Sequence, residues 1–237
     1  MYILEGNVGV GKSTLLEKIQ EHVPYLNVIT ESVSNWSNDD TQESLLARFY
    51  ADIPRWSYTL ETYTLLTRVQ EHLKIQQDPN PFKIVERSLY AGNYCFARNG
   101  YLQGAMDDIE WSIYNKFFDF LVLGKCKTPT GFIYLQADPE ICLARSQKRN
   151  RPGEEAIPLE YLQQIHDQHE RYLIRKEGVL PELVNVPVLV LDGSADFASD
   201  RTILEDHLDK IDEFLFITGD PRGQAKKDVP KHARGCC

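Results

Sequence analysis

The segment Gly6-Asn7-Val8-Gly9-Val10-Gly11-Lys12-Ser13 constrains this chain more than any other. It fits G-x-x-x-x-G-K-[ST], follows the strand-like Tyr2-Ile3-Leu4 and runs into an amphipathic pattern carried by Leu15, Leu16 and Ile19. A strand, a glycine turn and a helix in that order make a phosphate cradle. Glycine at 6, 9 and 11 lets the backbone wrap a phosphate with its N–H groups turned inward. In such a cradle Lys12 reaches the β- and γ-phosphates and the Ser13 hydroxyl ligates Mg²⁺, with Asn7, Val8, Val10 and Thr14 completing the wall. The motif implies that a nucleoside triphosphate is bound and is silent on what is done with it.

The rest of the chain agrees with the fold this motif demands. Short apolar runs at 2–5, 27–30, 83–86, 132–136 and 188–191 read as five strands. Helical patterns lie between them at 13–22, 55–77, 88–97, 107–123, 139–149, 158–176 and 200–216, with Pro139 and Pro158 placed where a first turn accepts proline. That alternation predicts an α/β fold: a doubly wound, five-stranded parallel sheet with helices on both faces. Residues 1–217 read as one domain with a lid at about 145–156. Residues 218–237 carry five Lys or Arg against two Asp without apolar periodicity, and read as a disordered basic tail.

Bulk properties narrow the class. A formal charge of −9 over 237 residues leaves no cationic excess for neutralising a nucleic-acid backbone, so no nucleic-acid partner is expected. The five cysteines, at 95, 126, 142, 236 and 237, form no C-x-x-C pair, which argues for free thiols rather than a zinc ribbon. No apolar run approaches the ~20 residues of a membrane helix, and a strand begins at Tyr2, so the expectation is a cytoplasmic protein. Lipidation of the terminal Cys236-Cys237 is not expected.

Two classes share the cradle. A switch GTPase needs an N-K-x-D segment and a D-x-x-G switch directly after its third strand; no N-K-x-D occurs, and no D-x-x-G stands at that strand. Instead Ile84-Val85 ends in Glu86-Arg87-Ser88, an acid and an arginine at the carboxyl edge of a strand, where ligands bind in open α/β sheets. Glu86 would hold Mg²⁺ through water, and Arg87 would clamp the transferred phosphoryl group. Further on, Arg145-Ser146-Gln147-Lys148-Arg149-Asn150-Arg151 reads either as a solvated helix face or as an arginine-bearing lid. A lid would stabilise the transferring charge and exclude water, which favours a kinase over an ATPase.

Several further segments, in order, resemble one family. Glu31-Ser32-Val33 with Trp36, Arg55-Trp56-Ser57-Tyr58-Thr59, Glu86-Arg87-Ser88, Ile133-Tyr134-Leu135-Gln136-Ala137 with Pro139-Glu140, and Ile157-Pro158-Leu159-Glu160-Tyr161-Leu162 are similar to the deoxycytidine/deoxyguanosine kinase family. That family also contains mitochondrial thymidine kinase and the insect multisubstrate deoxynucleoside kinase. The resemblance implies transfer of the γ-phosphate of ATP or another nucleoside triphosphate to the 5′-hydroxyl of a deoxynucleoside, for nucleotide salvage. It implies that Glu31 is the general base, that Arg87 touches the acceptor's 5′ end, and that Tyr50 and Glu154 bind the sugar 3′-hydroxyl. Trp36, Leu60 and Phe96 would wall the nucleoside pocket. Arg145, Arg149 and Arg151 would lie over the phosphates, and the loop containing Asp196 and Phe197 would hold the donor's base. A homodimer built through the long helices is likewise implied.

Two positions depart from the family pattern. Where the family has Gln in Trp-Ser-x-Thr-x-Gln-Thr-Tyr, this chain has Glu61, and where deoxycytidine and deoxyguanosine kinases have Asp after Glu-Arg-Ser, it has Gly92. An ionised Glu61 only accepts hydrogen bonds, so it favours the donor-rich edges of guanine or cytosine; burial could instead keep it protonated and glutamine-like. Arg68, two turns on, would donate to a base or pair with Glu61, and Gly92 would widen the pocket. The alternatives are a thymidylate-kinase-like nucleotide kinase, whose acceptor phosphate Glu31 would repel, and a non-catalytic or GTPase-type nucleotide-binding protein.

Overall fold

The computed structural model describes residues 1–31, 45–150 and 157–219. Trp36, Arg151, Glu154 and most of the basic tail lie outside them. Five strands, β1 (Tyr2–Glu5), β2 (Asn27–Ile29), β3 (Lys83–Glu86), β4 (Gly131–Gln136) and β5 (Val188–Asp192), form one sheet in the order β2-β3-β1-β4-β5. Every neighbouring pair is parallel. The doubly wound parallel sheet read from the sequence is thus the one observed.

β1 is central and buried along its whole length, as strands covered on both faces must be. Its residues alternate between two cores. Tyr2 and Leu4 join Ile133 and Leu135 of β4 beneath α1 (Lys12–His22) and α10 (Arg201–Gly219). Ile3 joins Phe132 and Tyr134 on the other face, against α3 (Ile53–Ile75) and α6 (Asp108–Val122). The chain leaves β1 toward one side of the sheet and β4 toward the other, so the carboxyl ends of these neighbours flank a crevice.

Capping follows the sequence locally. Asp52 accepts from Arg55 N at 3.2 Å before Pro54 opens α3, and Asp107 and Glu110 form a reciprocal capping box at α6. The pattern at 88–97 resolves into α4 (Leu89–Ala91) and a π-helical stretch (Gly92–Ala97), and the helix runs on past its predicted end as α5 (Arg98–Leu102). The pattern at 158–176 is α8 (Leu159–His169) continued by a second π-helical stretch (Glu170–Ile174). α7 (Pro139–Arg149) has the predicted bounds. Besides α5, two short helices fall outside the predicted patterns: α2 (Leu45–Ala51) and α9 (Pro181–Val184). Among the described residues no helix is long and apolar enough to cross a membrane.

Candidate active site

A cavity of about 650 Å³ opens at the carboxyl edge of the sheet, between the glycine turn and α3. The turn is shaped by packing against its neighbours. Gly9 has φ +79°, and a Cβ there would stand 2.2 Å from the Cys142 carbonyl oxygen of α7. Gly11 has φ +107° and lies against the Phe197 ring, whose Cζ would be 3.1 Å from an added Cβ. Asn7 pins the turn from behind, donating to the Leu162 carbonyl at 2.8 Å and accepting from Val8 N at 2.8 Å. Val8, Gly9, Gly11, Lys12, Ser13 and Thr14 reach the cavity wall, whereas Gly6, Asn7 and Val10 are not on it.

Lys12 is buried, with Nζ donating to the carbonyls of Gly6 at 3.1 Å and Asn7 at 2.9 Å. Burial, joined by the Arg87 charge, pushes its pKa down to about 7 against the pull of Glu86, Glu31 and Glu5. An ammonium so desolvated is a site that gains from an arriving phosphate. Beside it, Ser13 Oγ donates to Glu86 Oε1 at 2.9 Å, and Glu86 Oε2 accepts the Glu31 backbone N–H at 3.2 Å. The strand-end acid and Glu31, two residues beyond β2, are therefore tied to the cradle.

Arg87 stands at φ +60°, a left-handed conformation uncommon for a side chain other than glycine. Its N–H continues the ladder to the Leu4 carbonyl at 2.9 Å, and its guanidinium lies 4.6 Å over the Phe96 ring. Its Nε reaches Glu31 Oε2 at 3.4 Å. The other Glu31 oxygen accepts from Arg68 Nε at 3.1 Å and Nη2 at 2.7 Å. Burial acts to raise the Glu31 pKa, but the two guanidiniums outweigh it and hold the carboxyl below its ordinary range. Glu31 is thus ionised, and it lines the same cavity as the glycine turn.

The inner end of the cavity is formed by α3, α2 and the π-helical stretch. Leu60, Glu61, Thr64 and Arg68 of α3 meet Tyr50 and Phe49 of α2, Tyr161 of α8 and Phe96. Two expectations change here. Arg68 was expected to serve a base or pair with Glu61; its Nε and Nη2 donate to Glu31, and the Glu61 charge also acts on its guanidinium. Gly92 was expected to widen the pocket; it is not on the cavity wall, and a Cβ there would meet Arg68 Nη1 at 2.9 Å. The space left by the missing side chain is taken by the guanidinium.

At the outer end, Arg149, Asp196 and Phe197 line the cavity. Arg145 lines it too, yet its guanidinium is a brace rather than a free cation. Nη1 donates to Val10 O at 3.0 Å and to the Gly193 carbonyl, and Nη2 to Ser194 O at 3.1 Å and Ala195 O at 3.3 Å. It joins the glycine turn to the loop after β5, since a planar fork of donors suits a ring of carbonyls.

The sequence reading missed several contributors. Leu46, Phe49 and Thr64 line the cavity without any motif, and Lys148 and Tyr161, which line it too, stand in segments that the sequence singled out without giving them a role. Glu5, the last residue of β1, is fully buried, with Oε1 accepting from Ser88 Oγ at 2.5 Å and Oε2 lacking a partner among the described residues. Burial pushes its pKa up to about 7, against Arg87, Ser88, Lys12 and Arg68. An acid closing an apolar strand directly before the cradle was the available signal. His169 is equally buried, its ring stacked on Tyr134 at 5.9 Å, and burial drives its pKa down to about 3.

With this geometry in view, the chain can be set beside known proteins. A family model described as deoxynucleoside kinase matches residues 2–216. Deoxycytidine kinase 2 of Gallus gallus is 35% identical over 236 residues, covering 90% of this chain and 89% of the relative. Deoxyguanosine kinase, mitochondrial, of Xenopus laevis is 30% identical over 233 residues, covering 90% and 88%. Thymidine kinase 2, mitochondrial, of Homo sapiens is 34% identical over 208 residues, covering 88% and 76%.

Proposed function

This chain belongs to the deoxynucleoside kinase family, and we propose that it transfers the γ-phosphate of ATP, or another nucleoside triphosphate, to the 5′-hydroxyl of a deoxynucleoside, yielding the monophosphate for salvage. The observation that carries this reading is the ionised Glu31 carboxylate, held by Arg68 and Arg87 at the wall of the cavity that also contains Lys12 and the glycine turn. Glu31 accepts the proton of the 5′-hydroxyl as that oxygen attacks the γ-phosphorus in line. Arg87, shared between Glu31 and the open cavity, places positive charge beside the oxygen whose negative charge develops. Lys12 and the backbone N–H groups hold the β- and γ-phosphates, and Arg149 closes on them from α7.

Mg²⁺ fits the oxygen donors beside Lys12. The Ser13 hydroxyl and the Glu86 carboxylate, 2.9 Å apart, are the hard ligands that ion takes, with water and phosphate completing its shell. When bound it would neutralise charge on the phosphate oxygens. Trp36, Glu154 and Arg151 keep, in this proposal, the roles of pocket wall, 3′-hydroxyl partner and lid arginine.

A homodimer is supported by the outer face of α6. Ile109, Ile113, Phe117 and Phe120 are exposed at helical spacing, beside exposed Tyr63 and Leu66 of α3. An apolar stripe of this size is unusual on a monomer, and a two-fold axis would cover it with its own copy. The described cysteines, Cys95, Cys126 and Cys142, are free thiols, which favours a cytoplasmic setting.

The test is γ-phosphoryl transfer from ATP to the four deoxynucleosides and, separately, to their monophosphates. Transfer to one or more deoxynucleosides and to none of the monophosphates is expected. Transfer confined to monophosphates, or hydrolysis of ATP alone, overturns the reading.

A further inference from the structure

Glu5 closes β1 directly before the glycine turn, yet it is fully buried and is not on the cavity wall. A mechanism that uses Glu31, Lys12 and Arg87 gives it nothing to do. A buried acid costs the fold more than an apolar residue of its size unless its oxygens are well paired. Here Oε1 accepts from the Ser88 hydroxyl at 2.5 Å, and Oε2 has no hydrogen-bond partner among the described residues. A break of this kind with apolar packing is expected where function requires it.

The one bond that Glu5 makes reaches the far side of Arg87. The Ser88 hydroxyl has one proton and two lone pairs. The lone pairs take the N–H groups of Tyr90 and Ala91, both at 3.1 Å, and so cap α4. The proton goes to Glu5. On the near side, the Arg87 N–H donates to the Leu4 carbonyl at 2.9 Å. Arg87 is thereby tied at both flanks to the last two residues of β1. Between these ties its backbone stands at φ +60°, which a residue with a side chain keeps only when its surroundings impose it. From that turn the guanidinium lies over Phe96, with Nε 3.4 Å from Glu31. The Arg87 charge is also the strongest of the influences that oppose the effect of burial on Glu5.

We propose that Glu5 is a positioning residue for phosphoryl transfer: by accepting the Ser88 proton it clamps the left-handed turn that aims Arg87 at Glu31. The inference rests on the kinase reading above, in which Arg87 places charge beside the reacting oxygen. Glu5 is outside the cavity and acts through Arg87, so its loss falls on kcat rather than on the binding of ATP.

The experiment is a double-mutant cycle on kcat, with the KM for ATP read alongside. Glu5→Leu is similar in size and accepts no hydrogen bond. It should lower kcat by about tenfold or more, the worth of a hydrogen bond to a charged group, and change the KM for ATP by less than about twofold. Glu5→Gln, whose amide oxygen still accepts from Ser88, should recover most of that loss. In an Arg87→Gln background, Glu5→Leu should lower kcat no further, because the group it aims is gone. Wild-type kcat in Glu5→Leu, an equal fall in both backgrounds, or no recovery in Glu5→Gln overturns the proposal. If Glu5→Leu does not fold, Ser88→Ala breaks the clamp from its other end and goes through the same cycle with the same expected outcome. A wild type that phosphorylates no deoxynucleoside would instead remove the kinase reading, and this inference with it.

Discussion

Arg68 closes two nitrogens on a single Glu31 oxygen, Nε at 3.1 Å and Nη2 at 2.7 Å, while Arg87 Nε stands 3.4 Å from the other oxygen. A carboxylate gripped from both sides is a weakened proton acceptor. What it gains is a fixed direction and an assured charge at the point where the acceptor hydroxyl must lose its proton.

Replacing that carboxylate by its amide should therefore strike the chemical step. Glu31→Gln keeps the shape and the backbone contact to Glu86, but cannot accept the proton. Its kcat should fall by roughly 10²- to 10⁴-fold, the usual contribution of a general base, with a much smaller change in the KM for ATP. Steady-state rates with each substrate varied in turn check this. A variant that retains wild-type kcat would remove Glu31 from the mechanism.

Arg145 offers a separable prediction, because its guanidinium donates to four backbone carbonyls. It joins the Val10 carbonyl to those of Gly193, Ser194 and Ala195. Arg145→Ala should loosen the loop carrying Asp196 and Phe197 and so raise the KM for ATP about tenfold, the cost of a charge-assisted hydrogen bond or two. The KM for the deoxynucleoside, bound at the other end of the cavity, should hardly move. Paired titrations of the two substrates measure it, and an equal rise in both KM values would contradict the brace.

How much of this was legible depended on where each signal sits. β1 and β3 have the predicted bounds because buried strands with apolar runs are bounded by turn residues that the chain cannot hide. The cradle was readable for the same local reason. α2 was not, since seven residues packed on a small cluster of Leu46, Phe49 and Leu60 leave no long period to detect. Nor was the engagement of Arg68 with Glu31, 37 positions apart, which depends on the room above Gly92. Arg145 misled for a further reason. Its partners are carbonyls, and every residue has one, so no residue type marks the acceptor.

The exposed stripe on α6 predicts assembly. Ile109 and Phe120 are each 70% exposed, at opposite ends of a row completed by Ile113 and Phe117. Placing a charge in the middle of the row, as in Phe117→Asp, should convert a dimer to a monomer while leaving the monomer folded, because the ring packs outward. Sedimentation velocity across a concentration series reads the outcome. A wild-type chain that sediments as a monomer at every concentration would rule out the assembly.

Two buried acids should leave a mark on stability. Glu5 and Glu61 have an ordinary value of 4.5 and are raised by burial to about 7 in the folded chain. Between those limits the native state holds protons that the unfolded chain has released. Stability contributed by these groups is therefore present at low pH, is lost as the pH rises from 4.5 toward 7, and stays lost above that. His169 works in the opposite direction: buried neutral, with its pKa pushed down to about 3, it withdraws stability as the pH falls below its ordinary 6.5. Comparing Glu61→Gln with the wild type cancels that background, since both carry His169. The amide, which never needs to ionise, should gain on the wild type by about 1–3 kcal/mol between pH 5 and pH 8. Urea midpoints of the nucleotide-free proteins at the two pH values supply the measurement. A difference between the two proteins that is the same at both would mean that Glu61 carries the same charge in the folded and unfolded chain, and the burial-driven shift would be refuted.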